Sequence, residues 1–175
     1  SESLAGRAAF VDLTPFLMCE LAPTPVNLAR LWLRGGYPRS YLARSDAESL
    51  DWRESYLSAV LERDVPALRP GLPVATLSRL LTMLAHLHGG ILNESELAGS
   101  LGITAPTVGR YIDLLEGLFM IRRLPPYFAN VGKRLTKSPR VYLRDSGALH
   151  ALLGIHDDGG LRSHPKVGAS WEGFL

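Results

Sequence analysis

The 175-residue sequence predicts a mainly α protein, with a helical segment followed by a winged helix-turn-helix that carries a small β-hairpin wing. Two short helices flank a tight glycine turn at 93–119, and a strand, a Pro-containing loop and a second strand follow at 120–144. A leucine-striped helix lies just upstream, at 76–90. Short helices joined by a Gly-containing turn are what a helix-turn-helix requires.

In chain order, AAFVDL (8–13) alternates loosely and stops before Pro15, which predicts a strand and a turn. VNLARLWLRGG (26–36) predicts a short helix with Leu28, Leu31 and Trp32 on one side. It ends at Gly35-Gly36, where the chain can take positive φ. ESLDWRESYLSAVLERDV (48–65) is a stronger helix: Leu50, Leu57, Val60 and Leu61 share a face, while Arg53, Glu54, Glu62 and Arg63 mostly take the other. Pro66, Pro70, Gly71 and Pro73 follow, and no helix is expected to cross them, so the domain boundary is expected there. TLSRLLTMLAHLHGG (76–90) then opens the second unit, its stripe Leu77, Leu80, Leu81, Leu84 and Leu87 covering the helix-turn-helix.

Asn93 suits an N-cap, and Glu96 can reach back to its N–H as in a capping box. Leu97, Ala98 and Leu101 form the apolar stripe of this helix, and Gly102 suits the left-handed residue that ends it. Thr104 is placed to cap the next helix, where Val108, Ile112, Leu115, Leu118 and Phe119 recur at helical spacing. MIRRL (120–124) and RVYLR (140–144) read as strands around a loop that breaks helix at both ends. After them, Asp145 and Ser146 begin a short helix closed by Gly154. HDDGGLRSHPKVG (156–168) reads as a polar loop, and SWEGFL as a helix start with Ser170 as cap.

Charge is distributed unevenly. From Thr104 to Arg144 eight basic residues face two acidic ones, in a chain whose formal net charge is only +2. Arg122, Arg123, Lys133, Arg134, Lys137, Arg140 and Arg144 follow one another without an acid between them. That is the footprint expected of phosphate binding, and duplex DNA is the expected partner. Lys133, Arg134 and Lys137 would lie at the wing tip with Arg140 beside them. Arg110 would lie on the outer face of the second helix, and Thr104 and Thr107 in its first turn, where hydroxyls and free N–H groups meet phosphates. The competing reading is a solvated basic hairpin on a unit that only joins domains.

Composition fits an ordinary globular chain, with 46% hydrophobic and 21% charged residues. No apolar run reaches the roughly 18 residues of a membrane span, so no membrane partner is expected. The chain opens without a basic-then-apolar leader. Cys19 is the single cysteine, which excludes an intrachain disulfide and fits a cytoplasmic, reducing setting. Ser1 in place of a Met, and the unfinished apolar turn at Trp171, Phe174 and Leu175, lead us to expect a piece of a larger protein.

Known catalytic spacings are missing: there is no GxxxxGK[ST] phosphate loop, GxSxG elbow or CxxC pair. His86 and His88 are two apart on a helix and do not share a side. His156, Asp157, Asp158 and His164 share a segment but match no metal spacing. Arg63-Asp64 reads as a local ion pair. Tyr127 and Phe128, beside two prolines, read as packing aromatics more readily than base-stacking ones.

The series SESLAGR, GGYP, a helix ending ERDV, the winged helix, LPPYFANVGKRLTKSPRVYLRDSG and WEGF resembles the C-terminal part of a prokaryotic family of predicted AAA+ superfamily ATPases. In that family a P-loop core is followed by a helical lid and a domain combining a winged helix with a nuclease-like region. The resemblance implies that residues 1–23 end the ATPase core, 24–66 form the lid-like segment, 74–145 the winged helix and 146–175 the start of the nuclease-like region. It implies ATP and Mg²⁺ as cofactors of the parent protein, with none in this stretch, where the Walker motifs are absent. It further implies that Gly36 and Pro38 of GGYP touch the adenine and that Arg7 or Arg39 approaches the phosphates, although the turn also reads as a plain helix breaker. Glu172 would stand where related nuclease folds carry an acid.

Three functions stay open at this level. The first is a DNA-binding regulatory module coupled to nucleotide state through the lid, the missing ATPase core being its partner and oligomers forming through the parent. The second is a scaffold between domains or subunits, and the third is part of a metal-dependent nuclease.

Overall fold

The computed structural model describes residues 13–127 and 138–175. The expected strand at 8–12, Arg7, Phe128 and the wing-tip residues Lys133, Arg134 and Lys137 lie outside the described residues. Leu13 is in no strand and is exposed.

The described chain is mainly helical, with one small two-stranded antiparallel sheet. After a short 3-10 turn, Met18–Glu20, helix α1 spans Pro25–Arg34. Thr24 Oγ1 accepts from Asn27 N at 3.2 Å, and Pro25 supplies the preset φ of a first helical residue. Gly35 ends the helix at φ 77°, and α2, Pro38–Tyr41, follows directly. Helix α3, Asp46–Ala59, is capped by Ser45, which accepts from Glu48 N at 3.1 Å.

Here the structure departs from expectation. The helix does not stop before the proline cluster. It widens into a π turn at Val60–Asp64 and continues as α4, Val65–Leu68. Pro66 has no N–H, and in a regular helix its ring would press on the carbonyl four residues back. The widened turn makes room for it, as such bulges do.

Helix α5, Val74–His86, packs on α6, Glu94–Leu101, which meets α7, Ala105–Gly117, across the turn at Gly102. Gly102 takes φ 69° as expected. Asn93 caps α6 through Glu96 N at 3.3 Å, but the Glu96 carboxylate meets the Asn93 side-chain amide instead of its backbone, so the capping box is half made. Strands β1, Ile121–Leu124, and β2, Arg140–Leu143, pair antiparallel with Ile121 opposite Leu143 and Leu124 opposite Arg140. Ile91, between α5 and α6, forms a further bridge to Arg140.

Phe119 does not join the α7 stripe. It follows the helix end at φ 58°, is 56% exposed, and lies under the Arg144 guanidinium at 5.0 Å. The turn into β1 demands a left-handed residue there, and this swings the ring away from Ile112 and Leu115.

The main core is one cluster, and Leu33, Ile155 and Leu161 form a second, smaller one. In the main core Leu57, Val60, Leu61 and Val65 pack with Leu77, Leu80, Ile112, Leu115 and Val141, so residues on both sides of the 66–73 segment contribute to it. Beyond the sheet, α8, Ser146–Leu152, is capped by Asp145, whose Oδ1 accepts from Ala148 N at 2.7 Å. The expected polar loop at 156–168 contains a helix, α9, Asp158–Ser163, capped by Asp157 and held by the fully buried Leu161. Ser170 is not a cap. It sits inside α10, Val167–Phe174, where its Oγ meets His150 Nε2 at 2.7 Å and receives Trp32 Nε1–H at 3.0 Å.

Buried polar groups join α1, α3 and α8. Arg53 is 1% exposed and donates to Ser49 O, Leu33 O and Gly147 O. Burial holds its guanidinium below the ordinary arginine value, a shift that the field of Asp145 opposes.

Candidate functional site

The side chains singled out on α7 come together as a row. Thr104 Oγ1 lies 2.9 Å from Thr107 Oγ1, and Arg110 Nη2 donates to Thr107 Oγ1 at 2.9 Å. Thr104 stands at the N-cap position as expected, but its hydroxyl serves Thr107 and makes no cap bond. Pro106 and Arg110 are exposed, while Val108, Ile112 and Leu115 face the core. The first two turns of α7 therefore offer hydroxyls, a guanidinium and the positive end of a 13-residue helix on one open side.

Among the described residues the hairpin presents less free charge than its composition promised. Arg123 is held by two acids of α7: its Nε donates to Glu116 Oε2 at 2.8 Å and its Nη2 lies 2.8 Å from Asp113 Oδ1. Burial pushes the Glu116 carboxyl up, yet the bonds from Arg123 outweigh that and keep it below the usual carboxylate range. Arg122 lies over the Tyr142 ring at 5.5 Å, Arg144 over Phe119, and Arg140 donates to the Gly89 carbonyl. Sequence reasoning counted these arginines as a patch. It counted Asp113 and Glu116, on the helix just before the strand, as charges and not as partners of Arg123.

At the GGYP turn, Gly36 is buried and both its backbone groups are engaged. Its N–H donates to Asp145 Oδ2 at 2.8 Å, and its carbonyl accepts from Phe16 N at 2.8 Å. Pro38 and Arg39 are exposed. Tyr37 packs with Trp52 and Tyr56 and exchanges a hydroxyl bond of 3.1 Å with Tyr56. Burial, and then that bond, raise the Tyr37 phenol above its ordinary value. Burial also raises the Asp145 carboxyl, against the pull of the N–H groups of Ala148 and Gly36. Asp145, which ties this turn to α8, was not foreseen as more than a helix start.

Of the histidines, His86 is exposed, while His88 and His150 are buried and held down to about 4, chiefly by burial. His88 Nδ1 accepts from Leu143 N at 3.0 Å, so its proton sits on Nε2. Among the described residues no three His, Cys, Asp or Glu side chains gather as a metal site would require. Arg63 and Asp64 form the expected local pair at 2.9 Å, and Glu172 accepts from the Tyr142 hydroxyl at 2.6 Å. Tyr127 is 89% exposed.

These observations define a mainly helical protein with a small sheet and an exposed polar row at the start of α7. The chain belongs to the family described as Domain of unknown function (DUF8612), which matches residues 26–159. It is 47% identical, over its whole length, to an uncharacterized protein of Mycobacterium tuberculosis and equally to one of Mycobacterium bovis. The chain spans 39% of the length of these relatives. No solved structure matches it. Among the described residues no helix is long and apolar enough to cross a membrane.

Proposed function

We propose that residues 74–145 are a winged helix-turn-helix that binds duplex DNA, as a regulatory module of a larger AAA+-type protein. The observation that carries this reading is the row Thr104–Thr107–Arg110 on the open side of α7, flanked by the β1–β2 hairpin. A helix of about 10–12 Å diameter fits the roughly 12 Å major groove, and side chains of its first turns reach base edges and phosphates there. The order α5, α6, turn, α7, hairpin also supports it. In this reading ATP and Mg²⁺ bind in the part of the parent protein that this chain does not span. Residues 24–66 transmit nucleotide state as a lid, with Pro38 and its neighbours nearest the adenine, and the module works in the cytoplasm.

The test is fluorescence anisotropy with a mixed-sequence duplex at low and moderate salt. Changing Lys133, Arg134 and Lys137 to Ala should weaken binding to all duplexes alike and lower the salt slope by roughly one unit for each phosphate no longer neutralised. Arg110→Ala should alter discrimination between sequences. Binding that ignores salt, or a triple variant that behaves as wild type, removes the reading.

One observation favours a second reading, a scaffold between domains. The core shared across residues 57–149 joins the end of α3, the π turn and α4 to the helix-turn-helix unit, and Arg123 is neutralised within the chain. Absence of salt-dependent DNA binding would favour it.

A further inference from the structure

The open side of α7 is bordered on both flanks. Residues three and four apart on a helix are neighbours, so Thr107, Tyr111, Leu114 and Leu118 form one flank, next to the buried stripe Val108, Ile112 and Leu115. The segment 68–73 lies along this flank, and the two enclose a groove of about 850 Å³. The opposite flank carries Glu116, which with Asp113 holds Arg123 of β1. The hairpin and the 68–73 segment therefore stand on either side of the outer face that bears Arg110.

The segment is built to keep its place. Pro70 and Pro73 fix their own φ, Gly71 turns the chain at φ 81°, and Leu72 packs against the core. Arg69, at the end of α4, is exposed and forms no ion pair with another described residue. The acid lining the same groove, Asp113, is already engaged by Arg123 at 2.8 Å. The unneutralised charges along this groove are thus Arg69 and Arg110, both positive.

We propose that residues 68–73 are a second backbone-contacting arm, with Arg69 as the phosphate ligand on the duplex strand opposite the one met by the hairpin. This rests on the reading that α7 enters the major groove of DNA. A helix seated there brings its two flanks toward the two phosphate strands, so a rigid loop on the free flank meets the second strand. The arm fixes the position of α7 on the duplex and reads no bases itself.

The experiment uses the whole chain and a mixed-sequence duplex, with salt titrations of wild type, Arg69→Glu and a control, Arg162→Ala. Arg162 lies on α9 and pairs with Asp158. Neutralising one phosphate corresponds to a salt slope of about 0.9, or about eightfold in affinity between 1 M and 0.1 M salt. Arg69→Glu is expected to lose at least that factor at 0.1 M and about one unit of slope, with melting temperature unchanged, while Arg162→Ala binds as wild type. A second measurement places the effect in space. Leu68→Cys in a Cys19→Ser background, carrying an iron chelate, should cleave one strand of the bound duplex beside the arm. If wild type binds but Arg69→Glu keeps its affinity and slope, or position 68 gives no cleavage, the arm is overturned and the α7 reading stands. If wild type binds no duplex at any salt, the DNA reading fails and the arm fails with it.

Discussion

Replacing Gly147 with Ala should damage the fold far more than the added methyl group suggests. Gly147 lies in the first turn of α8, against the end of α1. A Cβ built there would stand 2.7 Å from Gly35 N and closer still to the Arg34 carbonyl, both of them backbone. No rotamer change relieves such a contact, so α8 must shift away from α1. Forcing a group into a filled site costs about 1–3 kcal/mol. The shift also loosens the bond from Arg53 Nη1 to Gly147 O, now 2.9 Å, and a hydrogen bond to a charged group contributes about 1.5–3 kcal/mol. The two together give about 2.5–6 kcal/mol, or on the order of 10 °C in melting temperature for a chain of this size. Thermal and urea unfolding followed by circular dichroism on the whole chain would measure it. Gly117→Ala is the control: nothing lies within 4 Å of a Cβ at this position in α7, and replacing a helical Gly should hold or raise stability by up to about 1 kcal/mol. If Gly147→Ala melts within about 2 °C of wild type, the close approach of α1 and α8 is not what joins them, and the reasoning fails.

Three further outcomes are expected. Gly102→Val should cost about 1–3 kcal/mol although no atom lies within 4 Å of the added Cβ, because the penalty lies entirely in φ 69°; Gly102→Asn should recover part of it, and equal melting temperatures would refute this. His88 and His150 titrate near 4 in the folded chain and at roughly 6.5 when unfolded, so the unfolded state takes up protons first; their contribution is flat above about 6.5 and falls as pH drops toward 4, by up to roughly 3 kcal/mol each. Imidazole resonances of both residues moving near pH 6.5 in the native protein would contradict that. Glu116→Gln should leave Arg123 paired with Asp113 alone at a stability cost of about 1 kcal/mol or less, since the pair is partly exposed, and under the DNA reading should tighten duplex binding by removing one negative charge; weaker binding at unchanged stability would count against Arg123 facing the phosphates.

The parts of this protein legible in its sequence are those settled within a turn or two of chain. Asn93, Gly102 and Thr104 mark the ends of α6 and α7, because an N-cap position and a left-handed residue are local demands that few residue types meet. The leucines of α5 and the stripe Val108, Ile112 and Leu115 follow from periodicity alone, since burying one side of a helix leaves no other arrangement. Asp158–Ser163 escapes a sequence reading because its two glycines look like loop; a single buried Leu161 and the Asp157 cap outweigh them. Pro66 reads as a stop because the widening that accommodates it depends on a core that forms between distant segments.

The amino-acid order by itself determined where α6 and α7 meet at Gly102, the apolar stripes of α5 to α7, and that Thr104, Thr107 and Arg110 lie near one another on α7. Only the tertiary structure decided which charges are free. Arg123 meets Asp113 and Glu116 because the turn at Phe119 folds β1 back along α7, and Arg53 meets Gly147 only when α3 and α8 pack together. It also set Arg69 beside the open side of α7, through a π turn that carries the chain past Pro66. Backbone geometry answers to neighbours within about four residues, whereas the partner of a charged side chain is chosen by segments that meet only when the core is formed.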